Sequence, residues 1–451
     1  MVNADTGSRV AVVGTGARSR LWTRAVAARP ALDLVAFADP NPGRLDAAQR
    51  LLTAELGRPP AALWPAVDDL ATLLEREAVD TVVVTSVDRT HAGHIVTALR
   101  HGARVVTEKP MTIDPESTRL VLDTVAATGG EVLVGFNYRF NPVHLQVRQL
   151  LAEGAVGDVL SVHFEWLLDT HHGADYFRRW HRDKANNGGL MVHKASHHFD
   201  LVCWWLDADP VEVAAFGRTA FYGDRGVGVT GGLARDYERS TGSPAAVGDP
   251  FALDLAADNQ LRELYLDSEV HDGYLRDRNV FAPGVTTEDD MAVLARFDTG
   301  ASLSYHLTAY SPWEGYRIAF NGSAGRLELE VVETTWTDPG SAGPRGALVY
   351  GEAPDPHAGA TTITLHRHWQ PPQDIPARTV AGGHGGGDER LMAAVFDGDD
   401  PGHIAADARD GARALLIGMA ANEAFRSGSV VRTADLVTLP PRAPSGVAGP
   451  A

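Results

Sequence analysis

Val10-Ala11-Val12-Val13-Gly14-Thr15-Gly16-Ala17-Arg18-Ser19 is an apolar, β-branched run that breaks into a glycine-rich turn and then into an amphipathic stretch, Arg18–Ala28. The run reads as a buried strand and the stretch as a helix. Gly14 permits a tight turn, and Gly16 lets the backbone approach a pyrophosphate. The helix start beyond them offers unpaired N–H groups at the positive end of the helix dipole. Ser19 stands where a third glycine would complete the pattern. About twenty residues further on, a second run, Leu32–Ala38, ends at Asp39. A carboxylate there bonds the ribose hydroxyls of an adenosine and repels a 2′-phosphate. Neither Pro40 nor Asn41 is an arginine, so NAD is expected rather than NADP. The expected dinucleotide contacts are Gly14, Gly16, Ala17, Arg18, Ser19 and Asp39.

Further runs at Thr81–Thr85, Arg104–Thr107 and Val132–Gly135 alternate with the helical patterns Arg44–Leu56 and Ala92–His101. Strands separated by helices imply βαβ units and a parallel sheet covered on both faces. An α/β chain is expected, with a doubly wound Rossmann domain over residues 1–136. Beyond it, Val159–Trp166, Met291–Phe297, Ser302–Ala309 and Arg326–Val332 alternate in part, with turns at Asp298-Thr299-Gly300 and Asn321-Gly322. These predict an α+β domain over residues 137–438, built on a large, mainly antiparallel open sheet. Tyr222–Pro250 and Thr337–Ala360 read as insertions, and Ile404–Arg426 as one alanine-rich helix stopped at Ser427-Gly428. The Pro/Gly/Ala-rich residues 439–451 read as a disordered tail. The open face of the second sheet is the expected interface of a homodimer or homotetramer.

The chain has 451 residues and a net charge of −18, which argues against a nucleic-acid partner. The single cysteine, Cys203, rules out an internal disulfide. No stretch reaches the roughly 18 consecutive apolar residues of a membrane span. The opening MVNADTGS has no charged-then-apolar signal pattern. A cytoplasmic protein without a membrane partner is expected.

Three more motifs follow in order: Glu108-Lys109-Pro110, Gly135-Phe136-Asn137-Tyr138-Arg139-Phe140-Asn141-Pro142, and Asn187-Gly188-Gly189 leading to His193-Lys194-Ala195-Ser196-His197-His198-Phe199-Asp200. With the glycine turn and Thr85–His91, this series resembles the Gfo/Idh/MocA oxidoreductases, and the resemblance spans most of the chain. It implies that Thr85, Ser86 and His91 lie along the cofactor. Glu108 and Lys109 would lie beside the nicotinamide, with the Lys109–Pro110 bond cis. His197 would be the catalytic histidine and Asp200 the acid beyond it. Tyr138 and Arg139 would lie near the substrate. The family's usual aspartate four residues before the histidine is here His193, followed by Lys194. Either His197 leans on another acid or His193 itself takes the proton.

If 191–206 is one helix, His193, His197, Asp200 and Trp204 share a face. Lys109 supplies a cation for a developing alkoxide, and a histidine supplies a base near neutrality. His193 and His197 have a spacing open to a metal, but no HExxH motif is present and Lys194 adjoins, so no metal is expected. The basic run Tyr176–Lys184 reads either as a salt-bridged loop or as a site for an anionic substrate group. In the second case Arg179 meets the anion and Trp180 stacks on a sugar ring; Lys194 and Asp200 are also expected to line the substrate site. Gly382–Asp388, with His384, reads as a closing loop over the substrate or as a linker. The function implied is NAD-dependent oxidation of a sugar or polyol hydroxyl. The alternative is an NAD-dependent glycoside hydrolase that oxidises, eliminates, adds water and returns the hydride, acting on a neutral or anionic sugar.

Overall fold

Six strands, β1 (Ser8–Val13), β2 (Leu32–Ala38), β3 (Ala62–Trp64), β4 (Thr81–Val84), β5 (Arg104–Thr107) and β6 (Val132–Val134), lie parallel in the order β6-β5-β4-β1-β2-β3. The computed structural model describes residues 8–338, 357–380 and 383–442, without the side chains of Gly383 and His384. Val10–Val13 and Val82–Val84 are fully buried, as expected of strands covered by helices on both faces. This is the expected Rossmann sheet. β3 has three half-buried residues, too few to show a period in the sequence. The strand order reverses between β1 and β4, and that switch point opens a ligand crevice at the strands' C-terminal ends.

The second sheet comprises β7 (Val159–Asp169), β8 (Pro210–Arg218), β9 (Asp290–Phe297), β10 (Ser302–Ser311), β11 (Glu314–Gly322), β12 (Gly325–Thr334), β13 (Thr361–Arg367) and β14 (Gln373–Ile375). Their order is β14-β13-β12-β11-β7-β10-β9-β8, with Val431–Arg432 at the far edge. Only the central pair β7 and β10 is parallel among the described residues, so the sheet is mixed but mainly antiparallel. Asp298–Gly300 turns β9 into β10. Asn321-Gly322 does not make the next turn: Gly322 pairs with Gly325, and Ser323-Ala324 reverse the chain. Gly322 is needed instead for a close approach, since a Cβ there would lie 2.2 Å from the Val156 carbonyl oxygen.

One face of this sheet buries Phe164, Trp166, Tyr305, Leu307 and Phe320 against the helix Ala195–Leu206. The outer face is the one expected to form an oligomer interface. It carries His163, Glu165, His306, Arg317, Glu328 and Glu330 across its middle, with Phe216 and Leu294 exposed nearer one edge. The C-terminal helix runs from Ala408 to Ser427 and stops at Gly428, whose φ of 68° is left-handed. Its Ile417, Ala420 and Ala424 pack on the second sheet's core, and its Ala412, Leu415 and Met419 on the first's. It therefore fastens the two sheets around the crevice.

The expected helix over 191–206 is two helices, Leu190–His193 and Ala195–Leu206, broken at Lys194. The His193 carbonyl does not bond ahead to the His197 N–H, which goes to Lys194 O instead. Lys109 Nζ and Ser196 Oγ donate to the His193 carbonyl, at 3.1 and 3.2 Å. Most of Thr337–Ala360 and the end of the 439–451 tail lie outside the described residues. No helix among the described residues is long and apolar enough to cross a membrane.

Candidate active site

The glycine turn caps β1 and leads into α1 (Ser19–Ala27). Gly14 has φ of 90°, and a Cβ there would lie 2.4 Å from Ser86 Cα, so only glycine fits between the two loops. Ser19 is buried, and its hydroxyl donates to Gly16 O at 2.7 Å, closing the turn that a third glycine closes elsewhere. Asp39 at the end of β2 accepts from the N–H groups of Thr15 and Asn41, each at 2.8 Å. Arg44 Nε lies 3.4 Å from the same carboxylate, and its Nη2 pairs with Asp272 at 2.6 Å. So an arginine does reach Asp39, three positions beyond Asn41, with its charge already shared. The glycine cradle, the acid closing β2 and the helix start fit a dinucleotide.

Glu108 and Lys109 follow β5, and the Lys109–Pro110 peptide is cis. Glu108 Oε1 accepts from Arg18 Nε at 2.5 Å and from Trp22 Nε1 at 2.9 Å. Arg18 Nη2 also reaches Asp388 at 3.0 Å, and Asn137 Nδ2 donates to the same Asp388 oxygen at 2.8 Å. Arg18 thus ties the loop after β5 to α1 and to the glycine-rich stretch. Gly385 and Gly387 there abut Asn141 and Asn137 too closely for a Cβ. Gly382 and the side chain of His384 lie outside the described residues. His91 bridges two loops, one ring nitrogen 2.8 Å from Pro110 O and the other 3.1 Å from Ser86 O. Thr85 Oγ1 donates to Gly14 O at 2.5 Å.

Lys109 Nζ lies 3.3 Å from His193 Nε2. The other nitrogen of that ring, Nδ1, lies 2.5 Å from Asp88 Oδ2. Lys109, His193 and Asp88 therefore form one chain across the crevice. Burial raises the Asp88 carboxyl well above its ordinary range, against the pull of Lys109 and Arg179. Burial lowers the His193 imidazole well below its ordinary range, and the Lys109 and Arg179 charges lower it further. The short Oδ2···Nδ1 contact fixes the ring's orientation, with Nε2 toward Lys109. The Lys109 ammonium keeps the lone pair on Nε2 facing it. Burial also brings the Lys109 ammonium down to about 8, although Asp88 pulls it up.

His197 stands apart from this chain. Its ring stacks on Tyr138 at 4.3 Å and meets Phe136 edge-on at 5.8 Å. Lys194 Nζ donates to Tyr138 Oη at 3.1 Å and lies 5.0 Å from the Trp166 ring. Arg139 and Asp200 form a bidentate pair at 2.8 and 2.6 Å, each about 1% exposed, and Arg139 Nη1 reaches Asp410 at 3.0 Å. Both were expected near the substrate. Here they lock Arg139 to the helix Ala195–Leu206 and to the C-terminal helix. The expected shared helix face therefore divides between a reactive chain and a structural pair.

The basic run is largely committed to the fold. Arg178 donates to Phe251 O, Arg182 to Ala282 O and Pro283 O, and Lys184 pairs with Glu288. Arg179 Nε lies 3.2 Å from Asp175, which Arg276 also holds at 2.7 Å. Trp180 stacks on His181 at 3.5 Å. Asp88, His181 and His193 offer ligand atoms within 4.8 Å of one another, a trio of metal-binding types that the sequence reading did not assemble. The Lys109 ammonium beside His193 counts against a cation there. Asp88 itself lies inside the quoted Thr85–His91 stretch, and a carboxylate at the C-terminal end of a central strand was the signal available. Tyr265, whose Oη accepts from Ala17 N–H at 3.1 Å, gave no comparable signal, whereas Asp388 closes the Gly382–Asp388 stretch already singled out.

The NAD-binding Rossmann model of the Gfo/Idh/MocA oxidoreductase family matches residues 8–136, and that family's C-terminal α/β domain matches residues 148–433. The Bacillus subtilis oxidoreductase YteT is 34% identical over 358 residues, covering 75% of this chain and 78% of its own. Inositol 2-dehydrogenase of Rhizobium meliloti is 29% identical over 230 residues, covering 51% of this chain and 62% of its own. Among solved structures, aldose-aldose oxidoreductase from Caulobacter crescentus is similar in fold with a TM-score of 0.60 at 17% identity, covering 94% of this chain and 99% of its own. The WlbA dehydrogenase from Bordetella pertussis, in complex with NADH and UDP-GlcNAcA, gives 0.61 at 18% identity, covering 94% and 98%.

Proposed function

The chain belongs to the Gfo/Idh/MocA oxidoreductase family and carries its NAD-binding domain, and on that premise we propose that it oxidises a secondary hydroxyl of a sugar or polyol. NAD, when bound, accepts the hydride from the carbinol carbon. Lys109 donates a hydrogen bond to the reacting oxygen and stabilises the alkoxide that develops there. His193 Nε2 receives the hydroxyl proton, and Asp88 holds the imidazolium through Nδ1. The observation that carries this reading is the Lys109–His193–Asp88 chain, with 3.3 and 2.5 Å links, set beside the glycine turn. It favours His193 over His197 as the proton acceptor.

Tyr138 and Lys194 supply the substrate wall in this reading, with Arg179 and Trp180 at its rim. Thr85, Ser86 and His91 shape the loop along the cofactor. The division into residues 1–136, residues 137–438 and a tail belongs to the same proposal, as do a homo-oligomer and a cytoplasmic location. The alternative, a glycoside hydrolase that recycles its NAD, is favoured by one observation: residues 258–276 cover the glycine turn, where Tyr265 Oη accepts from Ala17 N–H at 3.1 Å. One assay separates the two: purified protein with NAD against sugars, polyols and chromogenic glycosides, read for NADH and aglycone together. NADH accumulation supports the dehydrogenase. Aglycone release without NADH replaces it with the recycled-cofactor reading, and neither signal across the set, repeated with an added sugar carbonyl as hydride acceptor and with no reduced acceptor formed, overturns both.

A further inference from the structure

A segment that the second sheet contributes crosses the dinucleotide crevice. It runs from Asp258, whose side chain caps Leu261 N at 2.8 Å, through Arg262–Leu266 and Glu269–Asp272, and ends at Gly273, with φ of 69°. Tyr265 Oη accepts from Ala17 N–H at 3.1 Å, so its phenol sits on the α1 start that would face a pyrophosphate. Leu264, 1% exposed, packs on Ala17 and Ala47. Ser268 O accepts from Asn41 Nδ2 at 2.9 Å, beside Asp39. Asp272 pairs with Arg44 at 2.6 Å, and Glu263 with Arg50 at 2.8 Å.

These contacts join one segment to the glycine turn, to the loop after β2 and to α2 (Pro42–Arg50). Gly43 is fitted to it: a Cβ there would lie 2.6 Å from Ser268 Oγ. Past Gly273 the segment continues into the substrate side, where Tyr274 Oη accepts from Trp180 N–H at 3.4 Å and Arg276 pairs with Asp175. Gly14–Ala17 and Asp39, which would hold a dinucleotide, are the positions this segment covers. Leaving would require several of these links to open together.

We propose that residues 258–276 are a clasp that holds the dinucleotide in place from one turnover to the next. The proposal rests on the assigned cofactor crevice and takes the recycled-cofactor side of the functional reading, in which NADH does not accumulate. An enzyme that keeps its cofactor must return each hydride before it can take another. The hydride removed from a carbinol carbon goes back to a carbonyl carbon, either of the same sugar after its rearrangement or of a second carbonyl compound. The carbinol loses two electrons and the carbonyl gains two, and His193 carries the proton in both directions. With a phosphate at the α1 start, the Ala17 N–H and the Tyr265 hydroxyl would both be able to donate to it.

The test measures nucleotide exchange, not activity. Full-length protein is purified without added cofactor, denatured, and its NAD(H) counted per chain. NADH-loaded protein is then chased with excess NAD and followed by nicotinamide fluorescence. The same is done for Tyr265→Phe, which keeps the ring packed, and for Asp272→Asn. The clasp predicts near-stoichiometric nucleotide in the parent and release faster by about tenfold in each variant, an off-rate effect, with unchanged thermal midpoints. Parent protein that binds NADH but releases it as fast as both variants overturns the clasp and leaves the cofactor assignment standing. Protein that binds no dinucleotide overturns both.

Discussion

His193 Nδ1 lies 2.5 Å from Asp88 Oδ2, across 105 residues of sequence. The carboxylate–imidazole pair that the family pattern draws from one helix is rebuilt here from two elements. Asp88 follows β4, and His193 ends the short helix Leu190–His193. Because Asp88 occupies Nδ1, only Nε2 is left toward Lys109.

Asp88→Asn should keep the fold and lower kcat. The amide leaves the ring unfixed in tautomer and withdraws the charge that stabilises the imidazolium, a loss on the order of 10²–10⁴ in comparable carboxylate–histidine pairs. KM should change little. His193→Ala should cost as much, and the double variant little more than either single one, since the residues act as a unit. Additive losses would mean that the two side chains work independently.

Activity should fall as pH rises through about 8, where the Lys109 ammonium loses its proton. Lys109→Arg, which stays charged, should remove that alkaline limb while lowering kcat. The linked stability has a definite sign. Between about 8 and the ordinary lysine range, the unfolded chain holds a proton that folded Lys109 lacks, so this residue's contribution to stability rises with pH there. Below about 8 its burial penalty is full. A pH–rate profile of the parent without a limb near 8 would remove Lys109 from the proton chemistry.

Chelation should leave turnover unchanged. Asp88, His181 and His193 lie within ligand reach of one another, but a cation there would sit close to the ammonium 3.3 Å from His193 Nε2. Elemental analysis of the protein before and after chelator, alongside its rate, checks this. A stoichiometric metal whose removal abolishes activity would recast all three residues as ligands.

Arg139→Met should destabilise the protein by about 3–5 kcal/mol, because it leaves Asp200 buried without its cation. At roughly 2–4 °C per kcal/mol, the melting midpoint should fall by about 10 °C. Replacing both residues, Arg139→Met with Asp200→Leu, should recover part of the loss. A variant that melts normally but binds substrate poorly would return Arg139 to the substrate wall.

The strands of the first sheet were legible because both faces are buried and the runs are continuous, as at Val10–Val13 and Thr81–Val84. β3 was too short to read, and β8 and β11 were hidden in stretches without clear alternation. Gly14 and Asp39 were legible because a strand, its tight turn and an acid closing the next strand show in local sequence, whereas Lys109 was reached through the resemblance carried by Glu108-Lys109-Pro110. The partner of His193 was not, because Asp88 reaches it through tertiary packing. The break at Lys194 was hidden for the same reason: the group that draws off the His193 carbonyl is Lys109, 84 residues earlier. Arg139 and Asp200 carried a motif's expectation but pair with each other, and Arg139 reaches on to Asp410, a contact no spacing rule contains.

Lys194 offers a test in which stability and binding should move in different directions. Its side chain is buried, and its ammonium forms one hydrogen bond, to Tyr138 Oη, over the faces of Trp166 and Tyr138. Burial lowers its pKa, against the more distant pull of Glu314 and Glu333. A buried cation held in this way opposes folding, so Lys194→Met, of similar length, should melt at or above the parent midpoint. If the ammonium waits for an oxygen of the substrate, the same variant should raise KM by about tenfold, the equivalent of about 1.4 kcal/mol, with a smaller change in kcat. A lower midpoint with KM unchanged would make Lys194 a strut for the Tyr138–Trp166 stack. A higher midpoint with a raised KM would mean that its burial serves binding at the expense of stability.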